Sequence, residues 1–200
     1  MKPFSMPKSL HDVFGERQTV FSLLLVLFGG VVFTLVFIFT LLRDPAYQPL
    51  PWYVLAPGLL LVFDIAAGCV ANFSEGTSNY YARRPKNRWI FIAIHWHLPL
   101  CALLLGWPLL PVLGFGIYTL LAASMVNVRS GRSDQPLVAG LLLAVGLSAL
   151  VIAGKVFAAL SAPAMLVTVL FMIKVAYAFA VDHYRLGAAA LSAGTGNDEA

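Results

Sequence analysis

Six apolar runs, each close to the length a helix needs to cross hydrocarbon, restrict what this chain can fold into more than any other feature. They read as Val20–Leu42, Trp52–Phe73, Trp89–Leu105, Leu109–Val126, Pro136–Gly154 and Ala162–Val181. A helix satisfies its own backbone hydrogen bonds and can therefore sit in lipid. A β-barrel would show short segments of alternating polarity instead. Charged residues make up 11% of the 200 positions and hydrophobic ones 60%, too little polar surface to coat a water-soluble globule. The expected fold is an all-α bundle of six transmembrane helices spanning residues 20–185. An interfacial segment, residues 1–19, precedes it, and a small, polar tail, residues 186–200, is expected to be disordered.

The positive charges set an expected orientation. Of the 13 Lys and Arg residues, Lys2, Lys8, Arg17, Arg83, Arg84, Lys86, Arg88, Arg129, Arg132 and Arg185 fall on one side of a six-span chain. Arg43 and Lys155 fall on the other side, and Lys174 lies inside a span. By the positive-inside rule both termini are expected in the cytoplasm, with the protein in the plasma (inner) membrane. Before the first span, Ser9-Leu10-His11-Asp12 after Pro7 fits a capping box and predicts a short interfacial helix with Leu10, Val13 and Phe14 on one face. Cys69 and Cys101 both fall in apolar runs and read as buried free thiols.

Four ionisable side chains stand inside the spans, where each is costly and marks a functional hypothesis. Asp64 lies in span two, His95 and His97 in span three, and Lys174 in span six. A helical rise of about 1.5 Å per residue puts Asp64 roughly 13 Å from Phe73, Lys174 roughly 10 Å from Val181, and the histidines roughly 9 to 12 Å from Trp89. All four are thus expected in one layer. Asp64, Gly68 and Asn72 repeat every four residues and form a stripe on span two, with Gly68 leaving room for a neighbour. His95 and His97, two apart on a continuous helix, would point to opposite sides, so only one would face this layer squarely. That spacing is also poor for a metal, and no metal or cofactor site is assigned. The bland account of Asp64 and Lys174 is an ion pair that locks two helices together.

The stretch from Asn72 to Arg88 reads as a basic loop. Tyr80, Tyr81, Arg83, Arg84, Lys86 and Arg88 are its candidate contacts to a lipid head group or a phosphate, helped by Thr77 and Ser78. Trp52, Tyr53, Trp89 and Trp107 occupy span ends, as aromatic belts do. Ala67-x-x-x-Ala71 and Gly140-x-x-x-Ala144 offer close helix approach. No nucleotide loop, nucleophile elbow or metalloprotease helix appears, and nothing points to nucleic acid. Three functions remain open. One is a small, proton-coupled transporter or permease. Another is a membrane-embedded enzyme acting on a lipid or isoprenoid, and the third is an accessory subunit of a membrane complex. Membrane lipids, a second copy of the chain or a partner membrane subunit are the expected partners.

Overall fold

The computed structural model describes residues 2–184. Arg185 and the tail 186–200 lie outside the described residues. The chain enters through a two-stranded antiparallel hairpin, β1 (Phe4–Ser5) with β2 (Arg17–Gln18), which brackets a 3-10 turn and the short helix α1 (His11–Phe14). The first span is α2 (Val20–Leu42), capped by the Thr19 hydroxyl, which accepts from the Ser22 N–H at 3.1 Å. Next come α3 (Trp52–Ala71), the short α4 (Glu75–Ala82), α5 (Pro85–Ile94) and α6 (His97–Leu105). They are followed by α7 (Leu109–Val128), α8 (Gln135–Lys155) and α9 (Ala162–Met172), and α9 continues as a π-helical segment, Ile173–Phe179.

Six helical spans are long and apolar enough to cross a membrane, and the chain is a multi-pass, all-α membrane bundle. Their outer faces carry Phe28, Leu35, Phe39, Leu110 and Leu137, all exposed. Such an apolar exterior is stable only against lipid. Span six is the most enclosed. Its Val167, Phe171 and Val175 pack with Val62 and Ile65 of α3, Leu98 and Cys101 of α6, and Val112 and Val126 of α7. Both cysteines are buried and free.

Several expectations change. The proposed capping box does not form: no side chain caps the turn or α1, and the segment is instead clasped to α4. Tyr80 donates its hydroxyl to Asp12 Oδ1 at 2.9 Å, Thr77 donates to Val13 O at 3.2 Å, and Gln18 donates to Ser74 Oγ at 2.7 Å. Gly15, at φ 74°, and Gly76 let the two backbones touch, since a Cβ on Gly76 would sit 2.1 Å from Arg17 O. The expected loop 72–88 is mostly helical, because the Ser74 hydroxyl accepts from the Thr77 N–H and Glu75 begins the turn.

Span three starts at Pro85 rather than Trp89, a proline at the first helical position. Trp107 is not a belt residue. It is buried with its ring 6.0 Å from Phe37, in a turn where Gly106 takes φ 71°. Gly140 faces open space. On α8 the close approaches are at Gly146, against Tyr118 and Met172, and at Gly154, against Met165.

Candidate functional site

Asp64 sits near the middle of α3, and its neighbours come from the two spans that are not regular α-helix. Span six changes to i→i+5 winding at Ile173, which shifts the register of everything beyond Met172. Lys174, the second residue of that segment, directs Nζ to Asp64 Oδ2 at 2.7 Å and to the Asp64 carbonyl at 3.2 Å. Gly68 makes this possible: a Cβ there would lie 2.4 Å from Lys174 Cε. One turn further on, Asn72 donates from Nδ2 to the Lys174 carbonyl at 3.0 Å. The whole Asp64–Gly68–Asn72 stripe therefore docks onto one residue of span six.

Span three breaks between α5 and α6 at His95–Trp96, where His95 adopts ψ 68°. Pro99 explains the break. It has no N–H to bond the His95 carbonyl, and its ring would collide with that carbonyl in a continuous helix. The break also removes the helical-wheel separation of the histidines, so their rings lie edge to face, 5.0 Å apart. His97 Nδ1 stands 3.7 Å from Asp64 Oδ2, beyond direct hydrogen-bond reach. His95 is engaged elsewhere: Nδ1 donates to the Phe91 carbonyl at 2.5 Å, and the ring stacks on Phe91 at 3.8 Å.

Exposure separates the two charges. The Lys174 side chain is 4% exposed and the Asp64 side chain 50%. Asp64 continues the outward stripe of α3 through Tyr53 and Leu60, beside exposed Trp96, Leu100 and Leu103 of span three. The ammonium is sealed while the carboxylate opens sideways at mid-span depth. Among the described residues, no three His, Cys, Asp or Glu side chains are grouped to hold a metal ion.

A second polar cluster, at the basic end of the bundle, was not anticipated. Arg88 is buried rather than turned to head groups. Its Nε donates to Asn127 Oδ1 at 2.5 Å and its Nη2 to the Ala180 carbonyl at 2.6 Å. Gln135 Nε2 donates to the same carbonyl at 3.0 Å, and the Asp182 N–H donates to Gln135 Oε1 at 3.1 Å. Phe179 stacks on Phe91 at 3.6 Å and so links this cluster to His95.

The other candidates divide. Tyr81 is buried and donates to the Asp12 carbonyl at 2.8 Å; burial first, then the nearby Asp12 carboxylate, pushes its hydroxyl well above the usual range and keeps it a neutral donor. Arg84 pairs with Glu16 at 2.5 Å and lies over the Tyr80 ring at 4.1 Å. Thr77 and Ser78 are buried, while Arg83 and Lys86 remain exposed. No family model, curated protein or solved structure matches this chain.

Proposed function

We propose that the protein is a small proton-coupled transporter whose substrate and proton site is the Asp64–Lys174–His97 group. The observation that carries this reading is the uneven burial of the ion pair. A pair retained only to lock helices is best sealed on both sides, because an exposed carboxylate at that depth gives up stability. Here the carboxylate is half open. A proton taken up by Asp64 would dissolve its bond to Lys174 and free the ammonium for an anionic or polar substrate group. His97, 3.7 Å away, would pass that proton on through one bridging water.

Helix continuity supports the same reading. In transporters the site lies where spans are interrupted, at matching places in two halves of the chain. The spans that depart from regular α-helix here are the third, broken at His95–Trp96, and the sixth, wound as a π-helix from Ile173. The test is solid-supported membrane electrophysiology of protein in liposomes, against a panel of small organic acids, amino acids and amphipathic amines, with and without a pH gradient. Wild type should give solute-evoked currents that grow with the gradient and vanish in Asp64→Asn. Currents equal in both proteins would remove Asp64 from the mechanism.

A second reading, an enzyme acting on a membrane-dissolved lipid or isoprenoid, is favoured by the sideways opening of Asp64 among apolar residues. It predicts a lipid whose turnover depends on Asp64, with no solute-evoked current.

A further inference from the structure

A groove of about 570 Å³ opens at the basic end of the bundle, between the N-terminal hairpin, the first turn of α2 and α4. Arg17 and Arg83 line it, with the Thr19 and Ser22 hydroxyls, the Asn79 amide and Tyr80. Charges in its wall are unequally committed. Arg84 is held by Glu16, whereas among the described residues neither Arg17 nor Arg83 has an ion-pair partner. The lining charges balance, Glu16 and Glu75 against Arg17 and Arg83, and Arg84 behind the wall engages Glu16, which leaves one net positive charge at the groove. Two unpaired guanidiniums beside hydroxyl and amide groups match the anionic, oxygen-rich surface of a phosphate ester, which a planar guanidinium meets with paired N–H donors.

The groove's place in the chain specifies the source of that phosphate. Its floor is the first turn of α2, and Val20, Phe21 and Leu24, all exposed, continue directly into the apolar outer face of span one. A ligand with its phosphate in the groove would therefore lay its acyl chains along α2. We propose that this groove binds the phosphate of a phospholipid head group, held by Arg17 and Arg83, at a site separate from Asp64.

The site also gives the hairpin a purpose. The Tyr80–Asp12, Thr77–Val13 and Gln18–Ser74 bonds, with Arg84–Glu16 and Tyr81–Asp12, clasp the hairpin to α4 and so bring Arg17 and Arg83 to one groove.

The experiment is native mass spectrometry and thermal-shift titration of the full chain in detergent. The probes are a short-chain phosphatidylglycerol, a diacylglycerol of the same chain length and inorganic phosphate. The phospholipid should bind, and the diacylglycerol should not. Arg17→Gln with Arg83→Gln should weaken phospholipid binding about tenfold or more, since two charge-assisted contacts are lost. Both arginines are exposed and make no ion pair among the described residues, so the unliganded melting temperature should stay at the wild-type value. Lys86→Gln, an exposed basic residue outside the groove, should bind as wild type does. Equal weakening by Lys86→Gln, unchanged binding in the double variant, or binding of diacylglycerol as tight as that of the phospholipid would overturn the proposal. Inorganic phosphate binding as tightly as the phospholipid would assign the groove to a soluble phosphate and overturn the lipid source.

Discussion

Neutralising Asp64 and neutralising Lys174 should not cost the same, although the two groups make one ion pair. Asp64→Asn strands an ammonium whose side chain is 4% exposed, leaving it neutral oxygens alone, the backbone carbonyl of residue 64 at 3.2 Å and the new amide oxygen. Losing one partner of a buried pair costs about 3 to 5 kcal/mol, and the lower end fits here because that carbonyl stays. Lys174→Met instead leaves a carboxylate that is 50% exposed. That group can be neutralised by a proton taken up at its open face, so its loss should be smaller, about 1 to 2 kcal/mol. The double variant removes both penalties and should fall within about 1 kcal/mol of wild type, giving a coupling of about 3 kcal/mol. Denaturant unfolding of all four proteins in mixed micelles reads these values directly. Equal losses in the two single variants, or additive losses in the double, would show that the asymmetric burial does not govern the pair.

Gly68→Ala should displace the Lys174 side chain, because the new Cβ would lie 2.4 Å from Cε in a buried space. Overpacking of this kind costs about 1 to 3 kcal/mol, which thermal unfolding will show, and Asp64-dependent activity should fall with it. Arg88→Ala strands the Asn127 acceptor, while the Ala180 carbonyl keeps Gln135, and should destabilise by about 1 to 3 kcal/mol, with limited proteolysis opening the basic end of the bundle first. His183, beyond the last span, has its pKa lowered by burial and is held neutral with Nε2 3.1 Å from the Ala178 carbonyl. Its unfolded form takes a proton near pH 6.5 while the folded form resists, so its contribution is complete above that pH and is lost as pH falls below it. Melting curves across that interval should be flatter for His183→Gln than for wild type.

The spans were legible because twenty apolar residues in a row have few other stable fates. Span length also placed Asp64 and Lys174 in one layer, and four-residue spacing alone aligned Gly68 and Asn72 with them. Burial of the pair was not equally legible, because periodicity does not reveal which neighbour covers which atom. The histidines were misread as opposed. The signal for the break was present in Pro99, but a wheel drawn through a continuous helix ignores the missing N–H. The π winding at Ile173 has no marker in residue type, since any apolar residue accepts it.

At the basic end, charge was read as loop chemistry, which hid Arg88 inside the bundle. Arg88 tolerates burial because Asn127 of α7 and the Ala180 carbonyl just past span six accept from it, and Gln135 of α8 meets that same carbonyl, a convergence only the tertiary structure reveals. Ser74 and Glu75, by contrast, carried an ordinary helix-start signal for α4 within the expected loop.

On the proposed reading, Asp64 is an accessible, proton-exchanging carboxylate and not one half of a sealed lock. Infrared difference spectroscopy of the lipid-reconstituted protein during pH titration measures this without knowledge of the substrate. The account predicts a reversible carboxylic acid C=O band on acidification that shifts in heavy water and is absent from Asp64→Asn. A spectrum in which wild type and Asp64→Asn titrate identically would contradict it.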